Sequence, residues 1–421
     1  MYTPERIAKI LQKLAETPEA LKRNPLNRYV EGWFHITLNV REESTVLGRV
    51  VGDPDAADGS EDAPRCELTE LGKAVENEWR AIGRFYPLCI CEEIQVMPEH
   101  LHALLHLLPG NKGHLGRIVN GLMIGCTHHY WDTLGIDWRA MRKDIDESLK
   151  RYADSNDAAT SKEKEKALRA EWQDRDHSRS FRGPALFVRG YNDVEAVNEE
   201  EIEIKRQYIR NNPRKRLITR SQQDCFRIMR CKHSPNWTVE VALRVLTADR
   251  FFSRNSDKRE IAESNIMARL NLTEQSTTTQ LDYLGSRALM ASDRKLPLIC
   301  HRADASRFEE QKTAVLDAAR KGYVIVSAFI SPKEREIRNQ LLLELLPFIE
   351  IVDNGFSDRY KPVGKAFYAC AENRLVQISC WRYEYARETV VSREMCIVMN
   401  QLARVISKRE DDWWKKWERE N

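Results

Sequence analysis

Apolar and polar positions alternate through residues 89–108, the period of a strand in which every second side chain shares a face. Residues 33–40, WFHITLNV, have the aromatic and β-branched content of a strand, and residues 184–191, PALFVRGY, read as a further short one. Leu71, Val75, Trp79 and Ile82 recur at helical spacing after Leu68-Thr69-Glu70, and residues 115–134 form a second amphipathic pattern. Strand, helix, strand, helix predicts an α+β sandwich: one antiparallel sheet with helices on one face. Ahead of it, residues 2–24 have a helical pattern that stops at Asn24-Pro25, so residues 1–28 are assigned to an N-terminal helix. Residues 53–65 are acidic and rich in Gly, Ala and Pro, which predicts a mobile hairpin insert.

The rhythm breaks at about 137–182, where Lys, Glu, Asp, Arg and Ala dominate; this is expected to be a solvated helix or flexible insert. A helix then starts near Asn198, whose side chain and the acidic run Glu199, Glu200, Glu201 suit the positive end of a helix. The first domain is therefore placed at 29–235. Residues 236–290 read as a helical linker or a helix-turn-helix-like unit, although ordinary helical packing fits equally. Over 291–421, strands at 296–300, 323–330, 348–352 and 375–381 alternate with helices at 306–320, 332–346 and 392–407. That alternation predicts a parallel, doubly wound α/β domain of Rossmann-like type, with any ligand at the carboxyl ends of its strands. Those ends offer residues 327–331, ahead of a helix start at Pro332 able to hold an anion, and Asp353-Asn354-Gly355. The tail carrying Trp413, Trp414 and Trp417 is either a docking helix or one that packs back on the domain.

Composition adds limits. At 421 residues, 42% hydrophobic and 31% charged, the chain is long enough for two or three domains of ordinary soluble character. A formal charge of +3, from 67 basic and 64 acidic residues, does not announce nucleic acid, so any basic surface must be local. The 10 cysteines contain no C-x-x-C pair and no secretory leader is evident, which favours a reduced cytoplasmic setting and argues against a zinc–thiolate site. No apolar run reaches the roughly 18 residues of a membrane span.

The chemistry concentrates in two places. In 97–107, MPEHLHALLHL, the strand pattern points His100 and His102 the same way, with His106 on the same face. Two neutral imidazoles on a rigid strand are a ready pair of metal ligands, although a pair in that spacing also fits a surface or core position. The second place is the end of the helix after Asn198, where Arg206, Arg210, Arg214, Lys215 and Arg216 surround Tyr208. Cations suit a helix C-terminus for electrostatic reasons alone, and their density here also suits a phosphate backbone.

Three separated segments, MPEHLHALL, GRIVNGLMIGCTHHYW and LFVRGYNDVEAVNEEEIEIKRQYIRNNP, together resemble the REP-associated tyrosine transposases of the single-tyrosine HUH superfamily, over about residues 29–217. The resemblance implies a ferredoxin-like α+β domain that cuts and rejoins single-stranded DNA near hairpins, usually as a homodimer. It assigns the histidine pair to His100 and His102, the nucleophile to Tyr208, and a third metal position one turn later to Asn212. The chain departs from the family at Glu99, where Asn is usual, at His128-His129, where a basic pair is usual, and at Val194, where a basic residue is usual. A Mg²⁺ or Mn²⁺ ion held by His100, His102 and Asn212 would polarise a phosphodiester for attack by Tyr208, and the phosphotyrosine ester would store the bond energy for rejoining. The alternative from a different class is a non-catalytic hairpin-binding or regulatory protein that keeps the fold for recognition.

Overall fold

The computed structural model describes residues 29–41, 44–111, 113–140, 143, 147, 184–272, 278–385 and 390–417. The expected helix in 1–28 and most of the charged insert lie outside the described residues. The chain divides into two units, residues 1–217 and 218–421. The division falls earlier than the boundary expected near 235, and 236–290 joins the second unit instead of standing apart as a linker.

In the first unit, β1 (Gly32–Asn39), β4 (Cys89–Val96), β5 (His100–Leu107) and β6 (Asn192–Ala196) form a sheet in the order β4-β5-β1-β6, every neighbour antiparallel. A separate hairpin, β2 (Gly48–Val51) and β3 (Arg65–Leu68), brackets the acidic insert. The strand expected at 184–191 reduces to one bridge between Val40 and Phe187, and the fourth strand is β6 just after it.

Helix α1 (Glu70–Phe85) starts at Thr69, whose side chain accepts from the Gly72 N–H. It buries Leu71, Val75, Trp79 and Ile82, the stripe read from the sequence. With α2 (Leu115–Thr133) it covers the sheet face that presents Phe34, Ile36 and Leu38 of β1 and Leu101, Ala103 and Leu105 of β5. A Cβ added at Gly72 would stand 2.0 Å from the Leu47 carbonyl oxygen, whose backbone is pinned by the Thr69 N–H at 3.0 Å. Gly72→Ala is therefore expected to lower the melting temperature of the first unit, at a cost of about 1–3 kcal/mol for overpacking.

The expectation of helices on one face is corrected. A third helix, α3 (Glu199–Arg210), packs on the opposite face, where Leu104, Ala196, Ile202 and Ile209 form a small core of their own. That face carries apolar side chains that one layer of helices would have left in water. Helix α4 (Asn212–Ser221) follows after the single residue Asn211 and runs across the division between the units.

The second unit has one six-stranded sheet in the order β7-β8-β12-β11-β10-β9: β7 (Met229–Thr238), β8 (Thr278–Gly285), β9 (Lys295–Pro297), β10 (Val324–Ser327), β11 (Phe348–Ile351) and β12 (Leu375–Ser379). The last four run parallel in simple succession, while β8 and β7 add antiparallel to the β12 edge. Helices α5 (Val239–Ala248) and α6 (Ser256–Arg269), expected in a linker, bury Ala242, Leu246, Ala262 and Ile266 against this sheet. After a short α7 (Arg287–Ala291), helices α8 (Phe308–Arg320), α9 (Pro332–Leu343) and α10 (Lys365–Ala371) cross between the parallel strands and cover one face. Helix α11 (Arg393–Ser407) covers the other face with α5 and α6. The parallel strands never reverse their order, so their crossover helices share one face and the sheet lacks the switch-point crevice of the expected doubly wound fold. Trp414 and Trp417 pack back into this core, and the Trp417 indole N–H donates to Asp317 at 2.7 Å.

Candidate functional site

On the α3 side of the first sheet, β1 contributes Trp33, His35, Thr37 and Asn39, and β5 contributes His100, His102, Leu104 and His106. The register pairs Asn39 with His100, Thr37 with His102, His35 with Leu104 and Trp33 with His106. Alternation along β5 thus puts the three histidines on one face, as the sequence pattern implies. His106 leaves the group by stacking on Trp33 with ring centroids 4.0 Å apart. His100 and His102 stay together at 4.8 Å.

Helix α3 brings the tyrosine to them. Asn198 caps it, accepting from the Glu201 N–H at 2.9 Å, and Ile202 and Ile209 anchor it to the sheet. Those anchors set Tyr208 edge-on to His102 and to His35, with centroids 5.1 and 5.5 Å away. Lys215 of α4 lies over the tyrosine ring, its Nζ 4.6 Å from the Tyr208 ring centre. Asn212, despite preceding Pro213, opens α4, where the missing N–H of proline is no loss in a first turn. Its Nδ2 donates to the Tyr208 carbonyl at 2.8 Å, one turn back, which leaves Oδ1 as the acceptor of that amide.

Burial governs the electrostatics. His102 is 7% exposed and His35 8% exposed. Burial, then the charges of His100, His35 and Lys215, hold His102 well below the ordinary imidazole range. Burial and then Lys205 bring His35 down to about 4. Both rings are neutral at pH 7, the state in which imidazole can ligate. Burial pushes the Tyr208 phenol above its ordinary value and the Lys215 ammonium below its own. Glu99 lies 3.6 Å from His100 and 2.9 Å from Arg216; its bond to His100, then the Arg216 charge, keep its carboxyl low in spite of burial. Its Oε2 is buried with no hydrogen-bond partner.

The arginines expected on a DNA surface are engaged within the chain. Arg206 pairs with Glu92, Glu199 and Glu203 and lies over Trp33. Arg210 donates to Glu93 from Nε at 2.9 Å. Arg214 reaches into the acidic insert, to Asp58 at 2.6 Å and the Ala56 carbonyl at 2.8 Å, so the insert is held at this point. Arg216 holds Glu99. Lys215 belongs with the tyrosine. His129 bonds Glu78 at 2.9 Å and His128 stacks on Trp138; both belong to α2, which packs on the sheet face opposite the histidine pair.

Sequence reasoning missed His35 and Thr37. The alternation of WFHITLNV was their signal, since it puts 33, 35 and 37 on one face. In the second unit the proposed anion site at Pro332 is filled from within. Glu334 accepts from the Ile330 N–H at 2.8 Å, the Ser331 N–H at 3.0 Å and the Cys300 N–H at 2.9 Å. Asn354 is likewise engaged, with the Glu384 and Gly355 backbone.

Among the described residues, no group of three His, Cys, Asp or Glu converges as a metal site, and no helix is long and apolar enough to cross a membrane. Comparison with known protein families matches none. An uncharacterized protein of Haemophilus influenzae is 25% identical over 83 residues, 20% of this chain and 40% of that protein, so the match spans well under half of the relative's length. A solved structure of a REP-associated tyrosine transposase bound to a REP hairpin has 14% sequence identity and a TM-score of 0.26, covering 46% of this chain and 74% of that one.

Proposed function

We propose that the first unit is a ferredoxin-like HUH domain that nicks single-stranded DNA beside a hairpin and transfers the strand, with Tyr208 as nucleophile. The observation that carries this is the packing of Tyr208 against His102, about a hundred positions away in the chain, whose ring in turn lies beside His100 on one sheet face. Two imidazoles and the Asn212 amide oxygen are a donor set of the kind that accepts Mn²⁺ or Mg²⁺. When bound, such an ion supplies charge neutralisation at the scissile phosphate. Asn212 links that set to the nucleophile, because its side chain is bonded to the Tyr208 backbone.

The chain's own work is then positional. Ile202 and Ile209 fix α3, and the two histidine rings fix the tyrosine ring. Tyr208 Oη forms a bond to phosphorus while the bond from phosphorus to the 3′ oxygen breaks. The phenolic proton leaves to solvent or base, and the departing oxygen takes up a proton as a 3′ hydroxyl. Reversal with a second 3′ end rejoins the strand, so the 5′-phosphotyrosine conserves the bond. A homodimer in the cytoplasm is part of the same proposal.

Incubation with a labelled hairpin oligonucleotide and Mn²⁺ tests the reading: a protein–DNA adduct that survives denaturation is expected, and hairpin binding without any adduct would instead favour the non-catalytic regulator. The engaged arginines favour a weak electrostatic contribution in either case. Five free phosphate contacts would give a slope of about −3.5 for log K against log salt on single strands. With the arginines engaged inside the chain, a shallower slope is expected, and a slope that steep would mean the internal pairs open on binding.

Lys215 has a separate test. A cation over the ring of a partly buried tyrosine favours its phenolate, a contact of up to ~2 kcal/mol when desolvated. Because burial raises the Tyr208 phenol, the adduct rate should climb with pH through the neutral range, by about tenfold per unit while the phenolate is scarce. Lys215→Met should slow adduct formation by about 3- to 30-fold and move that climb to higher pH, whereas Lys215→Arg should keep most of the rate.

A further inference from the structure

We propose that Thr37 and His35 are positioning residues for His102, jointly accepting the proton on its Nδ1 so that Nε2 carries the lone pair offered to a cation. This rests on the metal reading of the same site. The observation is that two side chains from β1 converge on one nitrogen of His102: Thr37 Oγ1 at 3.0 Å and His35 Nε2 at 3.2 Å. The register makes the convergence, since Thr37 is directly opposite His102 and His35 is the next same-face residue along β1.

A neutral imidazole has one N–H and one lone pair, and each neighbour of a ring nitrogen biases which is which. A ligating histidine commonly gives its other N–H to an outer partner, which fixes both tautomer and ring orientation. Two partners already face Nδ1, so Nε2 is the ring's other donor atom. The opposite arrangement, with His35 Nε2–H donating to His102 Nδ1, would put the proton of His102 on Nε2 and close that nitrogen to a cation. The threonine hydroxyl can accept, and His35 can accept when its own proton is on Nδ1, so one N–H shared between two acceptors accounts for both contacts. All of this lies under α3, where water competes little: His35 and His102 are both buried.

The test needs no turnover. Long-range ¹H–¹⁵N correlation spectra of full-length, metal-free protein labelled with ¹⁵N-histidine report the tautomer of each ring, with the His102 signals identified by their loss in His102→Gln. His102 is expected to be protonated on Nδ1 in the wild type. Thr37→Val, which keeps the shape of the side chain, and His35→Leu should each shift it toward the Nε2-protonated form. Mn²⁺ binding by calorimetry should weaken about 10- to 100-fold in Thr37→Val, the range for loss of an outer-shell partner, and be largely retained in Thr37→Ser. An Nε2-protonated His102 in the wild type overturns the proposal, as does a folded Thr37→Val protein whose ring and Mn²⁺ affinity are both unchanged. A wild type with the Nδ1-protonated ring that binds no Mn²⁺ supports the positioning and overturns the metal reading alone.

Discussion

Tyr208→Phe is expected to abolish the denaturation-resistant DNA adduct while leaving hairpin binding within about twofold of wild type. Only one oxygen is removed. The ring keeps its edge contacts with His35 and His102 and the ammonium of Lys215 above it, so α3 has no reason to shift. Ile202 and Ile209, which hold that helix to Leu104 and Ala196, are untouched. Loss of a nucleophile, unlike loss of a supporting group, removes the covalent route altogether, so the adduct should fall by at least about a thousandfold. The measurement is a gel assay of labelled hairpin with Mn²⁺, beside a binding titration of the same two proteins. An adduct persisting in the variant would transfer the chemistry to another residue, and a parallel loss of binding would show that the hydroxyl serves recognition.

Much of this site is legible in the sequence because strand alternation is a local property. It needs only the i, i+2 rule to put His100, His102 and His106 on one face, and the capped, acidic start at Asn198 to set Tyr208 on a helix. What alternation does not supply is register, which is fixed by how β1 and β5 meet across the intervening chain. Without it neither the convergence of His35 and Thr37 on His102 nor the removal of His106 by Trp33 can be read. The arginines fail for a related reason: Glu93 and Asp58, which occupy Arg210 and Arg214, are more than a hundred residues upstream, so a local run of positive charge reads as a free patch. Two sheet-edge strands were hidden by their polarity. NDVEA of β6 exposes most of its side chains, and MRCKHSPNWT of β7 contains a proline, both usual at an edge and both close to loop composition. Overlooking β7 and β8 made 236–290 look detached from the sheet that its helices cover.

His100→Ala and His102→Ala should both lose cleavage at ordinary metal concentration, but the structure separates them. His102 is buried, and its removal leaves a void beside Tyr208 and strips Thr37 Oγ1 and His35 Nε2 of the ring they contact. The cost of that void and of the orphaned groups is about 2–4 kcal/mol. His100 is less enclosed, and its neighbour Glu99 is held independently by Arg216 at 2.9 Å. His100→Ala should therefore melt close to wild type and recover part of its cutting as Mn²⁺ is raised, because His102 with its outer partners and Asn212 still offer a weakened site. His102→Ala should melt lower and show little recovery, since the ion loses the donor whose orientation β1 maintains. Both variants are compared at a temperature below either melt, with cleavage followed across a Mn²⁺ series. Equal recovery in the two would mean the imidazoles are interchangeable and that the β1 contacts do not matter to the ion. Normal cutting by both without added metal would remove the histidine pair from metal binding and leave Tyr208 to be activated by Lys215 and the neighbouring rings.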